Sequence, residues 1–177
     1  TTTTDVPLNV TIDAIADEGT VAGGGTGLED GTSFPLNLTT AIPDGDDDAI
    51  DSITISGLPT GATLSTGMDN GDGTWTVDQT EISGLQVTPP AGSSADFNLQ
   101  IAVTTTDVDP ETGAVTTTST ETLITVQVTA VADEATVTTQ AASGDEDTAI
   151  DLNVQASIPG GDDDTLTEVV INGVPTG

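Results

Sequence analysis

Every ionisable side chain in this sequence is a carboxylate. The chain carries 30 Asp and Glu, no Lys, Arg or His, and no Cys or Tyr, a formal net charge of −30. Most general bases and nucleophiles are therefore missing, and only carboxylates and Ser/Thr hydroxyls remain for chemistry. Nucleic acid and anionic lipid are excluded as partners, because both need cations against phosphate. Many of the acids are clustered: Asp44-Gly-Asp-Asp-Asp48, Asp107-Val-Asp-Pro-Glu111, Glu29-Asp30, Asp17-Glu18, Asp133-Glu134, Glu146-Asp147 and Asp162-Asp163-Asp164. Two carboxylates about 4 Å apart repel by roughly 1 kcal/mol in water and roughly 4 at an effective dielectric near 20. Against a typical stability of about 5–15 kcal/mol, several such pairs weigh heavily. The chain has no cation of its own to neutralise them, so the expected partner is a divalent ion. Calcium takes 6–8 oxygen ligands from carboxylates, carbonyls and water, and closely spaced acids at turns supply them.

Other chemistry fits less well. Paired carboxylates can hydrolyse glycosides, but two Phe, one Trp and no Tyr leave almost no surface for stacking sugars, so no enzyme is expected. Asp69-Asn-Gly-Asp-Gly-Thr-Trp75 has the look of a calcium loop but lacks the Gly at position 6 and the Glu at position 12 that an EF-hand needs. Its Asn-Gly and Asp-Gly pairs are hairpin signals instead, and Trp75 reads as core. Asn9-Val-Thr11 and Asn37-Leu-Thr39 match the glycosylation sequon, a short and common pattern that here falls in expected strands.

The elements that would position these acids repeat. Ile15–Gly61 recurs as Val131–Gly177, an offset of 116 residues: IADEGTV returns as VADEATV, LNL as LNV, IPDGDDD as IPGGDDD (with Gly160 in place of Asp44) and GLPTG as GVPTG. Glu29-Asp30 returns as Glu146-Asp147 with a slip of one residue. Asp5–Glu18 parallels Glu121–Glu134 in the same way. Residues 1–14 therefore read as the last strand of a preceding repeat, 15–130 as one complete repeat, and 131–177 as the first part of the next, as in a window on a longer polymer.

Within the complete repeat, apolar residues alternate with polar ones, as in half-buried strands. Phe97, Leu99, Ile101 and Val103 form the cleanest run, followed by Ile124, Val126, Val128 and Ala130. About seven strands are expected, near 19–25, 33–41, 50–56, 61–66, 73–78 (extended by 85–89), 96–106 and 115–130, closing a two-sheet sandwich. The only helical signal is one short turn within Asp78–Gly84. If neighbouring strands alternate in direction, the loops sort to two ends. One end gathers Asp17 and Glu18, Asp44 and Asp46–Asp48, Asp69 and Asp72, and Asp107, Asp109 and Glu111. The other gathers Glu29 and Asp30 with Asp133 and Glu134. Joined head to tail, the second end of one module meets the first end of the next, where Asp162–Asp164 join the set.

The order AxADE, ED, PDGDDD, ITISGLPTGATLS, NGDGTW, GLQVTPP, FNLQIAVTTTD and TLITVQVTAVADE resembles the extender repeats of giant type I-secreted bacterial adhesins, the repeats-in-toxin surface proteins with cadherin-like or bacterial Ig-like modules. The resemblance spans the complete repeat and both partial ones. It implies an elongated all-β chain of tandem sandwiches, export to the bacterial cell surface without an N-terminal signal peptide, and calcium that stiffens the linkers. It also implies that ligand binding lies in other domains near the fibre tip. By position it assigns Asp17, Glu18, Asp133 and Glu134 to the linkers and Glu29, Asp30, Glu146 and Asp147 to the strand ends. Asp44, Asp46, Asp47, Asp48 and Asp162–Asp164 fall in the interdomain loop; Asp107 and Asp109 join the calcium ligands on the strength of their own spacing. The expected partners are neighbouring repeats of the same chain and calcium. The alternatives are a filament assembled by strand exchange or lateral association, and a surface whose acids serve solvation only.

Overall fold

The longest alternating run forms the longest hairpin. In the computed structural model, which describes residues 2–31, 33–43, 47–158 and 164–173, β10 (Phe97–Val108) pairs antiparallel with β11 (Val115–Thr129) from Phe97↔Val126 to Val108↔Val115. Around this hairpin the described residues are essentially all-β, about 40% strand and 2% helix. The other elements are β1 (Thr20–Ala22), β2 (Gly25–Leu28), β3 (Phe34–Pro35), β4 (Thr39–Ala41), β5 (Ala49–Ser56), β6 (Thr63–Leu64), β7 (Met68–Asp69), β8 (Thr74–Val77), a 3-10 turn at Ile82–Gly84, β9 (Gln86–Thr88), β12 (Thr136–Thr139) and β13 (Val154–Ser157).

A six-stranded sheet runs β2-β11-β10-β5-β8-β7, and opposite it lie the three-stranded sheet β3-β9-β6 and the pair β1-β4. The sheets enclose one core. Ile53, Ile55, Val77, Leu99, Ile101, Val103, Ile124 and Val126 enter it from the large sheet, and Val21, Phe34, Leu64 and Val87 from the smaller ones, with Leu36, Leu38 and Leu85 between. Burying each such side chain is worth about 1.5–3 kcal/mol.

Three strand expectations are corrected. The first two strands, expected as 19–25 and 33–41, each break in two. β1 pairs with β4, and the chain then crosses at Gly23-Gly24 so that β2 joins β11 in parallel. A Cβ at Gly23 would stand 2.7 Å from Leu38 Cδ2, which only Gly avoids. The partner strand breaks at Asn37, where φ is +49°. Asn37 thus lies between strands, with only Thr39 of its sequon opening β4, and Asn9 lies in a segment without regular structure; neither asparagine sits in a strand as expected. Third, residues 85–89 do not extend β8; they form β9 in the opposite sheet. The short turn in Asp78–Gly84 does form, and Trp75 packs against the core.

The 116-residue offset recurs in the pairing. Thr20↔Ala41, Val21↔Thr40 and Ala22↔Thr39 return as Thr136↔Ser157, Val137↔Ala156 and Thr138↔Gln155. The surroundings do not recur. Leu36 is buried, but its counterpart Leu152 is exposed, as are Val169, Val170 and Ile171. Likewise Leu8, Val10 and Ile12, counterparts of the buried Ile124, Val126 and Val128, are exposed. Among the described residues no helix is long and apolar enough to cross a membrane.

Candidate functional site

The inner face of β10 changes character along its length. Leu99, Ile101 and Val103 lie in the core; the next inward positions are Thr105 and Asp107, both buried, and then Asp109 beyond the strand end. This polar stretch receives the incoming linker. Asp107 Oδ2 accepts the Ile15 amide at 2.8 Å, and Thr116 Oγ1 of β11 accepts the Ala16 amide at 2.9 Å. The Thr105 hydroxyl donates to the carbonyl of Asp17. From the other side Asp48 Oδ2 accepts the Asp17 amide at 2.6 Å. Gly19 then passes so close to Val103 that a Cβ would stand 2.7 Å from its Cγ1. Residues 15–19 are thereby held to the hairpin and to the loop before β5. Asp107, expected on a loop, belongs to a strand and points inward, because the strand runs on to Val108, two residues beyond its expected end at 106.

Asp109 shapes the hairpin turn. It is 3% exposed, and its Oδ1 accepts the amides of Glu111 and Thr112, both at 2.8 Å. These bonds, the Thr112 amide first, hold its carboxyl below the usual carboxylate range. Asp72 and Asp78 are spent in the same manner. Each accepts a hydroxyl and an amide, from Thr74 and Thr80 respectively, and each is held low chiefly by the hydroxyl. Asp69 accepts the Gly71 amide at 2.8 Å. The segment 69–75 is thus a self-satisfied turn.

The other end is built on Glu29. It follows β2, and its amide donates to the carbonyl of Thr129 at 3.2 Å, where β11 leaves the sheet. Its side chain is only 3% exposed. Oε1 accepts the amide of Val131 at 2.6 Å, whereas Oε2 is buried with no hydrogen-bond partner among the described residues. Two residues on, the Asp133 amide donates to Asp164 Oδ2, repeating the bond from Asp17 to Asp48 at the 116-residue offset.

The chain gives no match to any protein-family model, curated protein or solved structure. The site therefore stands on its own geometry.

Of the acids singled out from sequence, the structure brings Asp17, Asp48 and Asp107 together on one linker, and Glu29, Asp133 and Asp164 on the next. Glu18, Asp30, Asp47, Glu134, Glu146 and Asp147 are exposed. Asp44, Asp46, Asp162 and Asp163 lie outside the described residues. Among the described residues no three acidic side chains stand close enough to hold a metal ion. The charge chemistry and the buried, half-satisfied Glu29 nonetheless suit a cation. A carboxylate oxygen buried without a donor costs about 1–3 kcal/mol or more, and a cation is the group that would offset it. Sequence reasoning missed Thr105 and Thr116. Their signal was the change from aliphatic to hydroxyl residues along the inward faces of β10 and β11.

Proposed function

We propose that this chain is a non-catalytic extracellular spacer, built of tandem Ig-like or cadherin-like sandwiches, whose junctions calcium stiffens so that an elongated fibre projects a distant binding module. Support comes from one observation above the others, the buried Glu29 carboxylate gripping the linker amide of Val131 with its second oxygen unpartnered among the described residues. The internal repeat sharpens the point. Val131 is the counterpart of Ile15, whose amide is held by Asp107. In a junction with both modules present, the Glu29 of one module and the Asp107 counterpart of the next claim the same N–H, which can satisfy only one of them. The surplus charge calls for a cation. Glu29, the Asp107 counterpart, Asp133 and the acidic loop ending in Asp164 would hold it, and its chemistry there is electrostatic bridging. Sites with Kd of roughly 0.1–1 mM serve outside cells.

The test is chelation. Calcium is expected to raise the melting temperature, narrow the small-angle scattering envelope around the linker and protect residues 129–134 from protease. Binding to the folded form alone stabilises by about 2.7 kcal/mol per site at a 100-fold excess over Kd. Scattering and melting that do not change between chelator and calcium would defeat the proposal.

A further inference from the structure

We infer that the outer face of the six-stranded sheet is a self-pairing surface, against which a second copy of this chain docks side by side. The pairing registers decide which residues share that face. Opposite the core side of each strand they align Thr74 and Thr76 of β8, Ser52, Thr54 and Ser56 of β5, Gln100, Ala102 and Thr104 of β10, and Thr117, Ser119 and Leu123 of β11. In a chain of net charge −30, the register-paired outward positions of these strands include a single carboxylate, Glu121, and that one already accepts a hydrogen bond from Gln100 Nε2 at 2.5 Å. Asp51 stands at the bulge towards one end of β5.

Charge selects the occupant. Two copies meeting through their loop ends would press carboxylates together without a counter-charge. Meeting through this face they bring together hydroxyls and amides, which both donate and accept. Such a surface is complementary to itself, as a two-fold contact between identical chains requires. Leu123, 66% exposed near the middle of β11, supplies an apolar anchor. A carbohydrate polymer is the less favoured occupant, because the face offers no aromatic ring: Trp75 and Phe97 pair with Ile55 and Val126 on the core side, and Phe34 is buried. Strands of 2 to 15 residues, rising about 3.4 Å per residue and lying about 4.8 Å apart, together present on the order of 700 Å² per copy. That falls short of the roughly 800 Å² per partner of a standard interface. One module therefore pairs weakly, and a row of modules in register multiplies the effect. This inference does not depend on calcium at the junctions.

The experiment is sedimentation equilibrium of the full chain, with calcium and again with chelator. The mass should rise with concentration towards a dimer, with Kd at or below about 1 mM, the class of weak transient contacts. Thr104→Glu should weaken the association at least tenfold, and so should Thr54→Glu, both with unchanged melting temperature. Mixing Thr104→Glu with Thr104→Lys should restore a mixed dimer. A wild-type chain that stays monomeric at about 3 mM overturns the inference, as does association that these charges leave unchanged. A neutral glucan that binds the chain while no dimer forms would hand the face to carbohydrate instead.

Discussion

Glu29 concentrates the electrostatic problem of this chain in one side chain. One of its oxygens is satisfied by the Val131 amide and the other is buried without a partner among the described residues. Glu29→Gln keeps an acceptor for that amide and removes the buried charge. In chelator the variant should therefore melt higher than the wild type, by about 2–8 °C for each kcal/mol recovered, and its gain on adding calcium should shrink. Calorimetry with and without calcium reads both effects. Asp109 makes a separate, pH-dependent prediction. Its carboxyl is held low in the folded state by the Thr112 and Glu111 amides. Its contribution to stability is therefore complete above the unfolded value, near 4, and is lost as pH falls through the depressed folded value. Amide exchange at Glu111 and Thr112 should accelerate in that acid range. In Asp109→Ala the same amides should exchange fast at neutral pH as well. The clusters were legible in the sequence as chemistry, but which oxygen would be left over was not. Burial depends on what packs above a residue, and nothing local encodes that for Glu29.

At the scale of elements, β2 carries the Glu29 end of the module. Its parallel pairing with β11 sets where Glu29 meets the emerging linker. Gly27 in its middle has no room for a side chain: a Cβ would stand 1.9 Å from Cδ1 of the buried Phe34 ring. Gly27→Ala should cost about 1–3 kcal/mol by overpacking. By displacing β2 it should also weaken the response of the melting temperature to calcium. A denaturant titration with and without the ion separates the two losses. The long strands β10 and β11 were read nearly to their ends, because strict alternation over a dozen residues has only one explanation. The broken first and second strands were not. A strand that changes sheets keeps its alternating pattern through the crossing, and the Gly-Gly pair that allows it looks like any turn signal.

For the whole molecule the governing quantity is a charge of −30 with no counter-charge. Two effects of salt should separate. Sodium chloride raised from about 0.01 to 0.15 M shortens the screening length from roughly 30 to 8 Å. It should raise the melting temperature of the chelated chain without changing its scattering dimensions. Millimolar calcium should change both. If sodium chloride reproduces the whole calcium response, the acids act as a solvated shell and the junctions need no bridging ion. The repeat adds a structural contrast. The same register forms in residues 20–41 and 136–157, yet the second copy leaves its apolar residues exposed where the first buries them. Local pairing needs only its own strands, whereas a core needs the hairpin β10–β11 laid across it.

The sequence by itself determined the β class, the repeat and its offset, and the restriction of the chemistry to oxygen ligands. Those follow from residue type and period alone, and no packing can add an imidazole, a thiol or a cationic side chain to a chain that has none. The tertiary structure alone decided that Asp107 points inward, that Thr105 and Thr116 bind the linker, and that Glu29 is buried over Val131. Each of these joins residues roughly a hundred positions apart. Such contacts are fixed by how two sheets close on one another, and no short stretch of sequence carries that information.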